Sequence, residues 1–533
     1  MNTKAVLEKN LLNRITLGDT LHRSARKFGE RTALVEGGQR FSYAQLDAAS
    51  NQFGHHLLAS GLKAGDKVAM ICNNSIQFLV AAYGIFKAGL VWVPVNTMLA
   101  PGDMRFILEH AEASLVVIDD QLYANPALRA ALDQLHVPVR LCELAGPAGC
   151  SVMQSLRGMP DTLPEVVIDE RDLAMIVYTS GTTGRPKGAM HSHRSVHSAL
   201  VSNIANLGIQ ATDIFSGILP LFHCAQFALA VSALTAGAAM VLQRGFDPSA
   251  LLAALAGERV TVMFGLPLMY GALLQHPQRA QHDLSALRLC IYAMAPMAQP
   301  LLRRLVAEVC PNFALGSGQT EIFPMTMYFH PDEQLRRFGN YWGQPCIVNE
   351  LAIMDADGTL LGRGETGEIV HRGPNVMLGY YKDPEATAQT RRFGWHHTGD
   401  LGMLDADGQL LFKDRMKDMI KTGGENVASV KVEEVLLRHP AVANAAVVGV
   451  PHPEWGEGIA AFVVLKAGAE CDGAALQRHC REHLAGFEVP KHVGLIEQMP
   501  TTSTGKIQKH VLRGTHQALF AQDARTDAAG RLG

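Results

Sequence analysis

Eleven consecutive residues constrain this chain more than any others: Tyr178-Thr179-Ser180-Gly181-Thr182-Thr183-Gly184-Arg185-Pro186-Lys187-Gly188. Hydroxyls or positive charge on Thr179, Ser180, Thr182, Thr183, Arg185 and Lys187 are interleaved with three glycines. The apolar run from Leu173 to Val177 just before them predicts a buried strand. Glycine lets the backbone turn through φ > 0 and present successive N–H groups. Those groups make an anion-binding concavity, which hydroxyls and a lysine strengthen. The ligand this chemistry asks for is a chain of phosphates. The loop is not of the Walker A kind, G-x-x-x-x-G-K-[ST], because Lys187 follows Pro186 and precedes Gly188. A Gly/Ser/Thr stretch standing alone is usually a surface turn, so the rest of the chain has to support the phosphate reading.

The chain has 533 residues, enough for more than one domain. Hydrophobic content of 48% and charged content of 18% describe an ordinary globular protein. A net charge of −3 offers no basic field, which excludes nucleic acid as a partner. The nine cysteines are scattered without a C-x-x-C pair, so spacing indicates neither a zinc site nor a redox pair. Reduced thiols fit a cytoplasmic location. Residues 1–15 mix charges with Leu and Val and lack the apolar core of a signal peptide. The longest apolar run, Phe227 to Leu242, is 16 residues and is broken by Ser232, Thr235 and Gly237. It is too short for a transmembrane segment and reads as a buried helix turning into a strand. Peripheral membrane contact and a homodimer are left open.

Apolar runs at Lys67 to Cys72 and Val91 to Val95 flank a helical pattern through Phe78 to Lys87. This alternation predicts parallel strands joined by crossover helices. Ser42 is placed to cap the helix that carries Leu46, Phe53 and Leu57. The rhythm returns with strands at Val260 to Phe264 and Leu287 to Tyr292. The charged run Asp414-Arg415-Met416-Lys417-Asp418 separates a β-rich region from a new α/β pattern, whose strands are expected at Ala443 to Val450 and Ile459 to Leu465. The expected domains are residues 1–414, a hinge at 415–418, a lid domain at 419–520 and a disordered tail at 521–533.

The first stretch, Y-T-S-G-T-T-G-x-P-K-G, resembles the phosphate loop of the acyl-adenylate-forming enzymes. These include acyl-CoA synthetases, adenylation domains of peptide synthetases and luciferases. Further motifs follow in the family's order. Gly316-Ser317-Gly318-Gln319-Thr320-Glu321 is similar to Tyr-Gly-x-Thr-Glu, and Gly367 to Gly373 on through Gly379-Tyr380 resembles a recurring β-rich segment. Then come Trp395 to Asp400, the charged run at 414–418, and Pro500 to Ile507, which matches P-x-x-x-x-G-K.

The resemblance covers residues 15–515 and implies an α/β fold. A large N-terminal domain of two α/β sheets plus a small β-barrel-like subdomain would precede a small mobile α+β C-terminal domain. The implied activity is an ATP-dependent acid–CoA ligase that uses ATP, Mg2+ and coenzyme A. Thr179 to Gly184 and Lys187 would hold the β- and γ-phosphates, and Thr320 the α-phosphate. Glu321 would bind Mg2+. Asp400 and Arg415 would hold the ribose, while Ala295, Pro296, Ser317, Gly318 and Gln319 would line the nucleotide. Lys506 would be the catalytic lysine, with Lys417 in the hinge and Gly423 and Gly424 along the pantetheine path.

Two departures from the family concern the walls of the site. Ala293 and Met294 stand where Gly-Gly or Ser-Gly is usual, which narrows the space beneath them. Ser317 replaces the Tyr that stacks on adenine. The acyl pocket is expected from Phe222, His223, Phe227, Ala293, Met294 and Ile322, with His223 also a candidate for catalysis. No Asp or Lys stands in these segments, which points to a fatty or other hydrophobic acid. An aryl acid, or a carrier protein as acceptor, is the alternative. A light-producing oxygenase and a degenerate binding module are further alternatives, and the module would be expected to lack Lys506, Asp400 or Glu321.

Overall fold

The computed structural model describes residues 3–142, 151–179, 185–293, 297–337, 339–501 and 507–521. The strands, in chain order, begin with β1 (Thr32–Glu36), β2 (Gln39–Ser42), β3 (Lys67–Ile71), β4 (Val91–Pro94), β5 (Ala113–Asp119) and β6 (Val139–Cys142). They continue with β7 (Leu173–Thr179), β8 (Lys187–Ser192), β9 (Ile214–Gly217), β10 (Ala239–Leu242), β11 (Val262–Gly265), β12 (Leu289–Tyr292), β13 (Phe313–Gln319), β14 (Ile322–Phe329) and β15 (Tyr341–Pro345). Next are β16 (Glu350–Met354), β17 (Gly367–Arg372), β18 (Gly379–Tyr380), β19 (Arg391–Arg392), β20 (Trp395–Leu404) and β21 (Leu410–Arg415). The last are β22 (Ile420–Thr422), β23 (Glu425–Val427), β24 (Val442–His452), β25 (Gly456–Leu465) and β26 (His492–Leu495).

The chain divides into two compact units. The first comprises Met1–Thr179, Pro186–Leu351 and His371–His396. It is built on two mixed sheets, one ordered β15-β14-β13-β12-β11-β9-β10-β1-β2 and the other β18-β8-β7-β4-β3-β5-β6. The second sheet shows why its strands read as unbroken apolar runs. Val68, Met70, Trp92, Leu115 and Val117 feed one core, while Ala69, Ile71, Val93, Val116 and Ile118 feed another. Successive side chains of a strand face opposite ways, so a strand covered on both faces must be apolar throughout.

The helix Ile76–Lys87 is buried along its whole length. Ser75 caps it by accepting from Phe78 N at 3.0 Å. The helix Tyr43–Ala59 starts at the expected cap, Ser42, which forms a capping box with Gln45. Lys87, at the end of the buried helix, has its Nζ 2.5 Å from Asp47 Oδ1 and 2.7 Å from Ser50 Oγ. Burial lowers the Lys87 pKa to about 8, and Asp47 opposes that fall. Lys87 is thus tied into the core by an ion pair and a hydrogen bond to the neighbouring helix.

The second unit comprises Ser180–Arg185, Ala352–Val370 and His397–Gly533. Strands β16-β17-β20-β21 are consecutive neighbours in an antiparallel subsheet. A separate sheet, ordered β23-β22-β25-β24 with β26 beside β25, carries the C-terminal domain. Val447, Ile459 and Ala461 pack from one face of the β24–β25 hairpin with Val432 and Leu436 of the helix Ser429–Arg438. Phe520 closes the other face over Gly458, where a Cβ would lie 2.5 Å from the ring. The fold class is the one expected: an α/β N-terminal domain with two mixed sheets and an antiparallel subsheet, then a small C-terminal domain. The run Phe227 to Leu242 is likewise the end of a helix, Cys224–Ala236, leading into β10. Among the described residues no helix is long and apolar enough to cross a membrane.

Candidate active site

The stretch expected to hold phosphates falls between β7 and β8, which pair antiparallel. Thr179 ends β7, Lys187 begins β8, and the two are cross-strand partners. Thr179 Oγ1 donates to Lys187 O at 3.4 Å. Gly188 is required by packing, since a Cβ there would lie 2.6 Å from Ile176 Cγ2. Ser180, Gly181, Thr182, Thr183 and Gly184 lie outside the described residues.

The acidic motif is the tip of a second hairpin. Gly316, Ser317, Gly318 and Gln319 finish β13, Thr320 and Glu321 make the turn, and Ile322 opens β14 opposite Gln319. A two-residue connection leaves no slack, so both residues stand at the tip. Their backbone is held by two neighbours: His191 Nε2 bonds to Thr320 O at 2.8 Å, and Met377 N donates to Glu321 O at 2.8 Å. Burial lowers the His191 pKa to about 4, so the ring is neutral and Nε2 carries its proton. Cys224 Sγ lies 3.7 Å from Thr320 Oγ1, and burial pushes that thiol up to about 11.

Tyr380 joins these two elements. Its phenol donates to Glu321 Oε1 at 2.7 Å. Lys187 Nζ sits over its ring, 5.2 Å from the centroid. Burial, then the charge of Glu321, raises the Tyr380 pKa, so the phenol remains a donor. Residue-by-residue reading gave Tyr380 no role. Its place in the recurring Gly379-Tyr380 segment was the signal.

The acyl-pocket residues are distributed unevenly. Positions 219–223 lie past the end of β9, and His223 immediately precedes the helix Cys224–Ala236. Phe222 is buried, and its ring lies 4.7 Å from that of His223. Burial lowers the His223 pKa to about 4. Phe227 and Ile322 are fully buried. Phe227 packs its ring 4.3 Å from Trp92 and 6.2 Å from Phe86, within the core. Ala293 is half-buried against the same core. Met294, Ala295 and Pro296 lie outside the described residues. Sequence reasoning missed Gln226, which is buried with neither amide atom hydrogen-bonded among the described residues; His223 Nε2 is in the same condition.

In the second unit, Asp400 and Arg415 are cross-strand partners on β20 and β21, with Arg415 Nε 3.6 Å from Asp400 Oδ1. The charged run that follows is not a solvated stretch, because Asp414 and Asp418 are both buried. Asp414 Oδ2 accepts from Ser429 N and Oγ at 2.5 and 2.7 Å. Asp418 Oδ1 accepts from Arg513 at 3.2 Å. Between these anchors Met416 and Lys417 are exposed in a turn. Gly423 and Gly424 have φ of 58° and 87°, so the β22–β23 turn itself asks for glycine. Gly423 N donates to Trp455 O at 2.9 Å. Lys506 lies outside the described residues.

Within the first unit, a carboxylate held on a tight turn and a lysine closing a Gly/Thr-rich loop suit the handling of phosphates; within the second, a buried aspartate is paired with a half-buried arginine. The profile of the AMP-binding enzyme family matches residues 21–381, and that of the AMP-binding enzyme C-terminal domain matches residues 431–506. Feruloyl-CoA synthase from an Amycolatopsis species is 35% identical over 93% of this chain and 98% of that protein. Long-chain-fatty-acid–CoA ligase FadD13 of Mycobacterium tuberculosis is 34% identical over 90% of this chain and 94% of that protein. Among solved structures, ATP-bound MatB from Rhodopseudomonas palustris aligns with a TM-score of 0.87 at 31% identity, covering 94% of this chain and 99% of that one. The chain belongs to the AMP-binding enzyme family, as an AMP-forming acid–CoA ligase.

Proposed function

We propose that this enzyme activates a hydrophobic carboxylic acid with ATP and passes the acyl group to coenzyme A. A carboxylate oxygen attacks the α-phosphorus of ATP, the bond to the bridging oxygen breaks, and pyrophosphate leaves. The thiolate of coenzyme A then attacks the acyl carbon and AMP leaves. Both partners of the first step are anions, so positioning and charge neutralisation supply most of the catalysis.

The observation that carries this reading is the Lys187–Tyr380–Glu321 group. Tyr380 occupies Glu321 Oε1, and Oε2 accepts no hydrogen bond among the described residues. A free carboxylate oxygen fits Mg2+, which prefers hard oxygen ligands shared with phosphates and would offset their charge. Lys187 and the phosphate loop would take the β- and γ-phosphates, Thr320 the α-phosphate, and Asp400 with Arg415 the ribose. Lys506 would neutralise the substrate carboxylate. Gly423 and Gly424 would flank the pantetheine arm.

The apolar Phe222, Ala293 and Ile322 support a fatty acid. Gln226 and His223 favour a second reading, an aryl acid with a polar substituent. A buried amide without partners costs on the order of 1–3 kcal/mol, which a substrate hydroxyl or carbonyl would recover. A panel of straight-chain acids, benzoates and hydroxycinnamates, assayed for AMP release with coenzyme A, separates the two. Gln226→Leu is expected to lower kcat/KM roughly 10–100-fold for a hydroxylated aryl acid and to leave fatty acids unaffected. Formation of ADP in place of AMP would overturn the proposal.

A further inference from the structure

Three side chains that no sequence motif joins meet at one edge of the smaller sheet. Cys72 directly follows β3, Asp119 ends β5 and Cys142 ends β6. The three strands are parallel neighbours, with Ile71 opposite Ile118 and Asp119 opposite Cys142. The two sulfurs and a carboxylate oxygen all lie within 4.8 Å of one another. All three residues are 0% exposed.

The carboxylate of this cluster is poorly satisfied as it stands. Asp119 Oδ2 accepts from Asn73 N at 2.7 Å, but Oδ1 has no hydrogen-bond partner among the described residues. No basic side chain among them pairs with it. The Cys72 thiol donates to Val117 O at 3.5 Å, and Cys142 Sγ is 4.0 Å from Ser75 Oγ, both long contacts. A buried carboxylate lacking a counter-charge is costly. A disulfide does not resolve the problem. The cysteines sit on either side of β5, two strand spacings or roughly 9–10 Å apart, beyond the ~7 Å that a disulfide spans between Cα atoms.

We propose that Cys72, Asp119 and Cys142 form a buried site for a thiophilic divalent cation, best suited to Zn2+. Two sulfurs and one carboxylate oxygen give three ligands of the kind zinc takes, leaving water for a fourth tetrahedral position. On binding, each thiol releases its proton to solvent and its sulfur donates a lone pair to the ion. The ion supplies the positive charge that Asp119 lacks and ties three strand ends together. Sulfur ligation separates this site from any Mg2+ at Glu321.

The test uses the full chain, stripped with a chelator and titrated with Co2+. One Co2+ per chain with thiolate-to-cobalt charge-transfer absorption, displaced by Zn2+, is expected. Cys72→Ser and Cys142→Ser should each remove most of that absorption. Affinity should fall by more than the roughly 10–100-fold that loss of a supporting outer-shell group costs. His479, Glu482 and His483 form another cluster with metal-ligating groups, but it offers no sulfur. Co2+ bound without a charge-transfer band, or a band that survives in the double cysteine variant, would overturn the proposal. Should the variants not fold, X-ray absorption of the zinc-loaded wild type decides. Two sulfurs at about 2.3 Å support the site, and a shell of only nitrogen and oxygen overturns it.

Discussion

At the residue scale, Tyr380 shows how one hydroxyl organises charge. Its ring lies beneath Lys187 and its phenol holds Glu321 Oε1. Tyr380→Phe keeps the ring and deletes only the hydrogen bond. A bond to a charged group is worth about 1.5–3 kcal/mol, so kcat/KM for ATP is expected to fall roughly 10–150-fold. Higher Mg2+ should recover part of the loss if the bond orients a metal-binding carboxylate. Pyrophosphate release measured against Mg2+ concentration checks this, and unchanged kinetics would remove Tyr380 from the machinery.

At the scale of elements, the hinge proposal is local chain mechanics. Asp414 fixes the end of β21 against the helix Ser429–Arg438, and Asp418 is fixed by Arg513. Only Met416 and Lys417, between those anchors, are exposed. A large rotation needs only a few element-terminal residues to change φ and ψ. Lys417→Pro, which fixes φ, is therefore expected to spare acyl-AMP formation and to block thioester formation. Lys506→Ala should do the reverse, losing pyrophosphate exchange and retaining thioester formation from supplied acyl-AMP. Both half-reactions are measured separately, with thermal unfolding as a check on folding. Equal loss of both in either variant would contradict the division of labour.

At the scale of the whole molecule, buried imidazoles set an acid limit. Burial lowers His191, His193 and His371 to about 4, against an ordinary value of 6.5. His193 Nδ1 accepts from Leu17 N at 3.2 Å, a bond that needs the lone pair. In the unfolded chain these rings bind protons below 6.5, whereas in the folded protein they do so only near 4. Their contribution is therefore complete above pH 6.5 and is lost as pH falls toward 4. Each adds a slope of about 1.4 kcal/mol per pH unit inside that window. Calorimetry from pH 7 to 4.5 should show a falling Tm, and His371→Phe should make that fall shallower without abolishing it. A Tm independent of pH across this range would refute the account.

Much was legible in the sequence because it depends on order along the chain. Alternating apolar runs and helices gave the α/β class, since a strand buried on both faces must be apolar throughout. The order of the motifs placed Thr320, Glu321, Asp400 and Arg415, which fold onto hairpin tips and paired strands. Tyr380 stands in a recurring segment, but its contact with Glu321, like the burial of Gln226 without partners, came from tertiary structure alone, because contact and desolvation leave no trace in local pattern. Cys72, Asp119 and Cys142 are the extreme case. They are far apart in sequence and share no spacing rule, yet parallel pairing of three strands brings their ends to one place.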